Sequence, residues 1–211
     1  VRACPSAASR RGPSASVYFS WKYSEQWYER LNEKNMKKII LYIAASLDQR
    51  IAEPGGELDW LTGFPNPEKT DYGYKELSAS VDTVIMGGRT YREIMNMDVI
   101  WPYSEQMAYV VSHHEWDTKE NVRFITENII ETISELRNQE GKDIWLVGGG
   151  ELISMLLATD LIDEMQICYF PIILGKGIPL FPEQNKESKW EIIKTKVYDS
   201  GVLKVDYQKS L

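Results

Sequence analysis

Cysteine and histidine are scarce in this sequence, and their scarcity argues against several kinds of site. Cys4 and Cys168 are the only cysteines among 211 residues, and His113 and His114 are the only histidines. Two isolated thiols make neither a disulfide framework nor a CxxC-type metal site, and they suit a reducing compartment such as the cytosol. Adjacent histidines without evident Cys or Glu partners do not match a metal-ligand pattern. We therefore expect no metal cofactor and a cytoplasmic location.

Long apolar runs and excess positive charge are also lacking. No uninterrupted apolar run approaches the roughly 18 residues that a helix needs to span a bilayer, so we expect no membrane partner. The net charge is −7, and because an acidic chain repels phosphate backbones, we expect no nucleic-acid partner. A bound phosphate would need a local device, such as backbone amides or a few cations. The length and the hydrophobic fraction of 43% are typical of one globular domain.

The first 35 residues differ from the rest of the chain. Residues 1–20 are rich in Ala, Ser, Pro and Arg and contain no Asp or Glu, which is typical of an organelle transit peptide or of translated sequence upstream of Met36. Residues 21–35 are compatible with a short helix or with a disordered aromatic tail. We expect residues 1–35 to be a disordered or non-native extension and residues 36–211 to form the functional domain.

Strand and helix patterns alternate along that domain. The apolar runs that predict strands cover residues 38–46, 83–86, 107–112, 122–125, 144–147, 164–174, 190–197 and 202–207. Helical patterns begin at Trp60, with Asp59 as a cap, and at Thr90, and others cover residues 72–80, 129–137 and 151–157. Gly141 is expected to terminate the 129–137 helix, and Pro171 to mark an edge or bulge inside its strand. This order describes an α/β sheet with an antiparallel edge.

Two glycine-rich turns each join a buried strand to a helix. They span Gly87 to Thr90 and Gly148 to Glu151. Glycine lets the backbone approach a ligand closely, and a helix start offers free N–H groups and a partial positive charge, so each turn is a candidate anion site. One such turn alone is more often only a turn, but two in one domain favour a ligand with two phosphates. Neither matches GxGxxG or a P-loop.

Five segments together carry a resemblance to the dihydrofolate reductase superfamily. They are AASLD with IA at 44–48 and 51–52, LDWL at 58–61, MGGRTY at 86–91, VGGGE at 147–151 and LGKGIPLF at 174–181. The last segment resembles the branch that includes the reductase domain of bacterial riboflavin biosynthesis. The resemblance implies a dihydrofolate-reductase-like three-layer fold, with a central mostly parallel sheet, an antiparallel C-terminal edge, and NADPH lying across the strand ends.

The same resemblance implies the residues that contact NADPH. Ala44 would hold the nicotinamide amide through its backbone, Ile51 would flank the ring, and Ser112 ends the strand whose loop binds the adenosine 2′-phosphate, where His113 could add charge. The contacts expected from the two glycine turns are Gly87, Arg89, Thr90, Gly148, Gly149, Gly150, Glu151 and Leu152. A cis peptide bond is also implied within the paired glycines, at Gly148-Gly149.

Two positions depart from the family pattern. The mobile loop of this branch reads Ser-x-Asp-Gly, but Gln49 replaces the glycine here, which affects the expected loop mobility or turn geometry. The helix motif reads Gly-Arg-x-Thr, but Gly88 takes the arginine position and Arg89 follows it. The expected preference for NADPH over NADH is weakened by this shift.

Hydride transfer to an imine-like carbon also needs a proton on the adjacent nitrogen. A carboxylic acid in an apolar pocket can supply it, because desolvation raises its pKa. Asp59 is the best positional match to the acid of folate reductases, and Glu57 is second. Helix capping explains Asp59 equally well, and Glu57 could be a solvated loop charge.

The sequence therefore favours an NADPH-dependent oxidoreductase that reduces a flat nitrogen heterocycle. The substrate would be of the 5-amino-6-ribosylamino-uracil phosphate type or of the dihydrofolate type. The phosphate of the former needs a cation pair beyond Arg89, and Lys176 is a candidate if it points inward. The alternative is a non-catalytic nucleotide-binding or dimerisation module that retains the fold, which the altered loop at Gln49 favours slightly. Homodimers are common in the riboflavin branch, so the resemblance also implies a homodimer.

Overall fold

The computed structural model describes residues 36–97, 99–116, 119–182 and 187–210. The predictions for residues 1–35 lie outside these described residues. From Lys37 onward the chain forms one compact unit. None of the helices within the described ranges is long and apolar enough to cross a membrane.

An eight-stranded sheet forms the centre of this unit. Its strands are β1 Ile39–Ser46, β3 Val81–Gly87, β4 Met107–Val111, β5 Val122–Ile125, β6 Asp143–Gly148, β7 Glu164–Phe170, β9 Trp190–Val197 and β10 Leu203–Lys209. Their order across the sheet is β5-β4-β3-β6-β1-β7-β10-β9. The first six are mutually parallel, and β10 runs antiparallel to both β7 and β9. Two short strands, β2 Arg50–Ala52 and β8 Ile178–Pro179, pair separately.

Helices cover both faces of the sheet and complete three layers. They are α1 Asp59–Thr62, α2 Tyr74–Ser80, α3 Gly88–Asn96, α4 Ile129–Arg137 and α5 Gly150–Ala158. One core cluster joins α4 and α5 to alternate residues of β1, such as Ile39 and Leu41. A second joins α2 and α3 to the opposite face of the same strand, through Ile40. This alternation is the period of two expected of a strand buried on both faces. The predicted mostly parallel sheet with an antiparallel C-terminal edge is confirmed.

Three local predictions were wrong. The long strand ends at Phe170, before Pro171 rather than around it, because proline has no N–H for the ladder. Helix α4 ends at Arg137 with Asn138 as its C-cap, three residues before Gly141. Asp59 is the first residue of α1, whose N-cap is Leu58 and has no side-chain capping bond. Helix capping therefore does not explain why an aspartate stands at position 59.

Candidate functional site

The two glycine-rich turns leave neighbouring strands at the same edge of the sheet. Strands β3 and β6 are parallel partners, and Met86 lies opposite Gly148. A Cβ added to Gly87 would lie 3.8 Å from both the Gly148 carbonyl oxygen and the Gly149 nitrogen. We call this pair of turns the strand exits. They form one continuous backbone surface, because the two turns are in contact distance of each other.

A helix starts from each strand exit. Gly87 is the N-cap of α3 and Gly149 the N-cap of α5, and neither helix has a side-chain capping bond. Both helices have nine residues, long enough for the partial positive charge of the macrodipole to develop at the N-terminus. Two uncapped helix starts at one sheet edge therefore make a surface suited to an anion.

The side chains at the exits are few. Thr90 Oγ1 would lie 3.5 Å from a Cβ on Gly149. The Thr90 hydroxyl, which belongs to the turn after β3, therefore faces the turn after β6. Arg89 and Glu151 are exposed, whereas Leu152 is buried in the core and can offer only its backbone. The peptide bond Gly148-Gly149 is cis, as the resemblance implied.

Packing around position 88 explains why the residue there is glycine, and the sequence alone did not reveal this. A Cβ at this position would lie 2.9 Å from Ser112 Oγ and 2.9 Å from Trp116 Cη2, closer than real Cβ contacts. Trp116 is held there by stacking on Tyr91, with ring centroids 6.3 Å apart and planes at 22°. The indole thus takes the space that an arginine at position 88 would need. The sequence offered one indication of this packing, which is the presence of Trp116 in the otherwise polar run after β4.

One cation, Arg92, lies near the residues that follow β4. Ser112 follows β4, and its Oγ accepts a hydrogen bond from the His114 backbone N–H at 3.1 Å. His113 and His114 are exposed. The Arg92 guanidinium lies 5.5 Å from the centre of the Trp116 ring, within the range of a cation–π contact. The predicted 2′-phosphate side of the site therefore has one exposed cation, Arg92, nearby.

The loop after β1 is held by Asp48. Its carboxylate accepts hydrogen bonds from the Ser46 hydroxyl at 2.7 Å and from the backbone N–H groups of Leu174 and Gly175 at 3.0 and 2.8 Å. These bonds, led by that of Ser46, lower the pKa of Asp48 to about 2. Asp48 therefore connects the loop after β1 to the LGKGIPLF segment.

Gln49 occupies the turn where the family has glycine. Its φ is +57°, in the left-handed region that L-residues other than Asn and Asp rarely adopt. The Leu180 backbone N–H donates to the Gln49 carbonyl oxygen at 2.9 Å. The turn geometry is thus retained without glycine, at the cost of a strained backbone.

The remaining predicted residues lie on elements next to the exits. Ala44 is half-buried in β1, the neighbour of β6, and Ile51 in β2 packs on the core that includes α5. Asp59 and Glu57 are exposed, while the adjacent Trp60 is buried 5.7 Å from the Phe170 ring, measured between centroids. The described contacts bring the two glycine turns together but do not join either acid to them.

Lys176 does not provide the inward cation that a substrate phosphate would need. Its side chain is exposed, in the loop between β7 and β8. The described part of the chain contains no cluster of three or more His, Cys, Asp or Glu residues that could hold a metal ion.

Known proteins are similar to this chain in sequence and in fold. The sequence model described as the RibD C-terminal domain matches residues 37–204. The uncharacterized protein YwjB of Bacillus subtilis (strain 168) is 37% identical over 167 residues, covering 79% of this chain and 95% of YwjB. A crystal structure from Shewanella sp. PV-4, whose name refers to riboflavin biosynthesis, is 34% identical with a TM-score of 0.75, covering 82% of this chain and 99% of that one.

The fold extends to more distant reductases. Dihydrofolate reductase from Enterococcus faecalis, complexed with NADP(H), superposes with a TM-score of 0.61 at 16% identity, covering 82% of this chain and 97% of that one. At this identity the likeness concerns the fold alone. The comparisons confirm the dihydrofolate-reductase-like fold and the resemblance to the riboflavin-type branch.

Proposed function

The chain belongs to the family of the RibD C-terminal domain, and we therefore propose that it is an NADPH-dependent reductase of a flat nitrogen heterocycle. The observation that carries the proposal is the meeting of two uncapped helix starts at adjacent glycine-rich strand exits. A dinucleotide presents two linked phosphates, and this surface offers two linked anion sites.

The residues at the exits fit a diphosphate. A Cβ on Gly87 would enter the space between the two turns, so glycine keeps that space open to backbone contact. The diphosphate and adenosine contacts would come from Gly87, Arg89, Thr90, Gly148, Gly149, Gly150, Glu151 and Leu152. Ser112 and Arg92 would meet the 2′-phosphate, which supports NADPH over NADH despite the glycine at position 88.

Ala44 and Ile51 would position the reactive end of the cofactor. Ala44 would hold the nicotinamide amide through its backbone, and Ile51 would cover one face of the ring. NADPH supplies a hydride when bound, and the protein supplies position, exclusion of water and a proton. We assign the proton to Asp59, at the start of α1, with Glu57 as the other candidate. Bound substrate would have to cover the exposed Asp59 carboxyl for it to donate this proton.

Two substrate types remain within the proposal. The riboflavin branch favours an aminouracil ribosyl phosphate, and the fold is equally compatible with a dihydrofolate. The family name and the LGKGIPLF segment support the former.

A homodimer is part of the proposal. Ile192, Val197 and Leu203 share one face of the β9-β10 hairpin by their register, and all three are exposed. Strand β9 is also the last strand of the sheet within the described ranges, where one of its sides is open to further pairing. An apolar face beside a free edge is the kind of surface that a second copy covers.

Nicotinamide fluorescence tests the cofactor. We expect the purified chain to bind NADPH at micromolar concentration and NADH more weakly. If neither nucleotide binds, the chain is not a nicotinamide reductase, and a non-catalytic module that retains the fold becomes the better account. Given NADPH binding, loss of absorbance at the nicotinamide band with the aminouracil phosphate, compared with dihydrofolate, identifies the substrate type.

A further inference from the structure

A cavity lies away from the strand exits, between the start of α2 and the β9-β10 hairpin. Its volume is 290 Å³, and it contains Lys75, Lys194, Lys196, Lys204 and Asp206. Strand β10 is three positions from β6 in the sheet, or about 14 Å at the usual strand spacing. We call this space between α2 and the β9-β10 hairpin the lysine cavity.

A buried residue separates the lysine cavity from the predicted nicotinamide position. Ala44, Cys168 and Lys204 lie side by side on β1, β7 and β10. Cys168 is 3% exposed, so the sheet surface between the other two is covered. A ligand in the lysine cavity would therefore bind without displacing the dinucleotide.

Lys204 is a buried cation at the base of the cavity. It is 8% exposed, and its ammonium donates to Gln166 Oε1 at 2.8 Å. A Cβ on Gly73 would lie 3.2 Å from the Lys204 Nζ atom, so the start of α2 closes over the ammonium. Burying a long charged side chain is costly unless its charge is matched, so Lys204 is a built feature of the cavity and not a solvated surface lysine.

Asp206 leaves a polar atom without a hydrogen bond in the same place. The residue is 9% exposed, and its Oδ1 lies 3.1 Å from Lys204 Nζ. This is an ion pair without hydrogen-bond geometry, because Oδ1 has no hydrogen-bond partner among the described residues. The Lys204 ammonium compensates the charge of this buried carboxylate, and Oδ1 keeps capacity to accept a hydrogen bond. A ligand hydroxyl would satisfy it.

The charge of the cavity favours an anion. Four lysines line it, against the three acids Asp71, Glu76 and Asp206, which leaves an excess of one positive charge. The Asp71 carboxylate accepts the backbone N–H groups of Gly73 and Lys75 at 3.2 Å each, which holds it at the edge of α2 and lowers its pKa. This local excess of cations contrasts with a chain whose net charge is −7.

We propose that the lysine cavity binds a small phosphorylated polyol, with the phosphate at Lys194 and Lys196 and a hydroxyl donating to Asp206 Oδ1. The volume is at the small end of the range of ligand pockets, which begins near ~300 Å³, so it suits a sugar phosphate and not a dinucleotide. This site goes beyond the proposed reductase activity, since none of its residues belongs to the strand exits.

Calorimetric titration of the full chain with ribose 5-phosphate tests the site, with inorganic phosphate and ribose as partial ligands. We expect saturable binding of ribose 5-phosphate, weaker binding of phosphate and none of ribose. Saturating NADPH should leave the affinity unchanged. No binding of ribose 5-phosphate would overturn the proposal, and so would competition with NADPH, because the phosphate would then occupy the strand exits.

Variants identify the residues. The double variant Lys194→Gln/Lys196→Gln changes only exposed positions, and we expect it to weaken ribose 5-phosphate binding by about tenfold or more, since it removes two charge-assisted contacts. Lys189→Gln, at an exposed lysine just before β9, is the matched control and should not change the affinity. Asp206→Asn should reduce the preference for ribose 5-phosphate over inorganic phosphate. An unchanged affinity in the double variant would refute the assignment.

The same ligand chemistry could come from the phosphoribosyl tail of the heterocyclic substrate. In that case ribose 5-phosphate would inhibit reduction competitively against the substrate. A separate sugar phosphate would bind without such competition. Either pattern, if lost in the double variant and kept in Lys189→Gln, supports the lysine cavity. An inhibition that the double variant retains would contradict it.

Discussion

The strand exits and the lysine cavity are both anion sites, but they are built in opposite ways. The exits use backbone from two short glycine-rich turns, each read directly from consecutive residues. The lysine cavity uses side chains from α2 and from the β9-β10 hairpin, which begins more than a hundred residues after α2 ends. Glycine removes side chains from the first site, and long side chains make the second.

This difference predicts how each site tolerates change. A backbone site fails when a side chain is added, because the added atoms occupy the ligand's space. A side-chain site fails when a charge is removed, and its backbone is unaffected. Substitutions at one site should therefore leave the other intact, which makes the two regions controls for each other.

The largest expected effect comes from adding a side chain at the exits. Gly87→Val places methyl groups between the two turns, and we expect NADPH affinity to fall by about 100-fold or more because the diphosphate is displaced. Gly87 has an extended backbone, with φ −76° and ψ 155°, so valine fits the chain and the fold is kept. Fluorescence titration measures the loss.

The matched control for Gly87→Val is Thr195→Val, an exposed position of β9 that should keep full NADPH affinity. Ribose 5-phosphate binding should survive in both variants. If Gly87→Val binds NADPH normally, the exits do not hold the diphosphate.

The proposed acid should affect turnover but not cofactor binding. We expect Asp59→Asn to lower kcat by about 100-fold or more, since general acid catalysis typically contributes this much, with NADPH affinity unchanged. Glu57→Gln is the paired variant, two residues away and also exposed, and should retain activity. Loss of kcat in Glu57→Gln with normal turnover in Asp59→Asn would reverse the assignment.

The β9-β10 hairpin should hold two copies together. Val197 is 73% exposed, and Val197→Asp puts a charge where the partner would pack, so we expect a monomer where the unsubstituted chain is a dimer. Light scattering after gel filtration measures the mass. Ile173→Asp, at an apolar residue 72% exposed in a loop, is the control. A dimer that persists in Val197→Asp would locate the interface elsewhere.

The hydrogen bonds that the Asp48 carboxylate accepts should make the stability of the fold depend on pH. Its pKa is lowered to about 2, below the ordinary value near ~4, so the carboxylate stabilises the fold above that ordinary value. The stabilisation is lost as pH falls towards the lowered pKa. We expect Asp48→Asn to melt at a lower temperature at pH 7, with the difference shrinking between about pH 4 and pH 2. A difference that stays constant over this range, or also occurs in Asp199→Asn, would exclude Asp48 as its source.

The smallest expected effect is relief of the strained turn. Gln49→Gly removes a left-handed L-residue, and the gain is partly offset by the greater freedom of glycine in the unfolded chain, so we expect stabilisation of less than about 1 kcal/mol. Urea unfolding measures it. Lys69→Gly, at a second residue with φ +52°, should behave alike. Destabilisation at Gln49 alone would mean that its side chain makes a contribution that outweighs the strain.

Most of the fold was predictable because its signals are local. The strand at 122–125 and the helix at 129–137 have the predicted bounds, since apolar periodicity is set by neighbouring residues. The errors fell at Asp59, Pro171 and Gly141, where the start or end of an element depends on hydrogen-bond partners and packing elsewhere in the chain. The two glycine-rich turns between a strand and a helix were likewise predictable from consecutive residues, whereas binding of a dinucleotide by their residues stays a prediction.

The sequence alone determined the α/β order, the two glycine turns and the family motifs, all of which are encoded over a few residues. Only the tertiary structure decided that β3 and β6 are neighbours, that Trp116 occupies the space beside Gly88, and that Lys204 and Asp206 are buried together. These facts depend on strand order and on packing between distant segments, because a side chain's burial and charge partners are set by residues that no local pattern specifies.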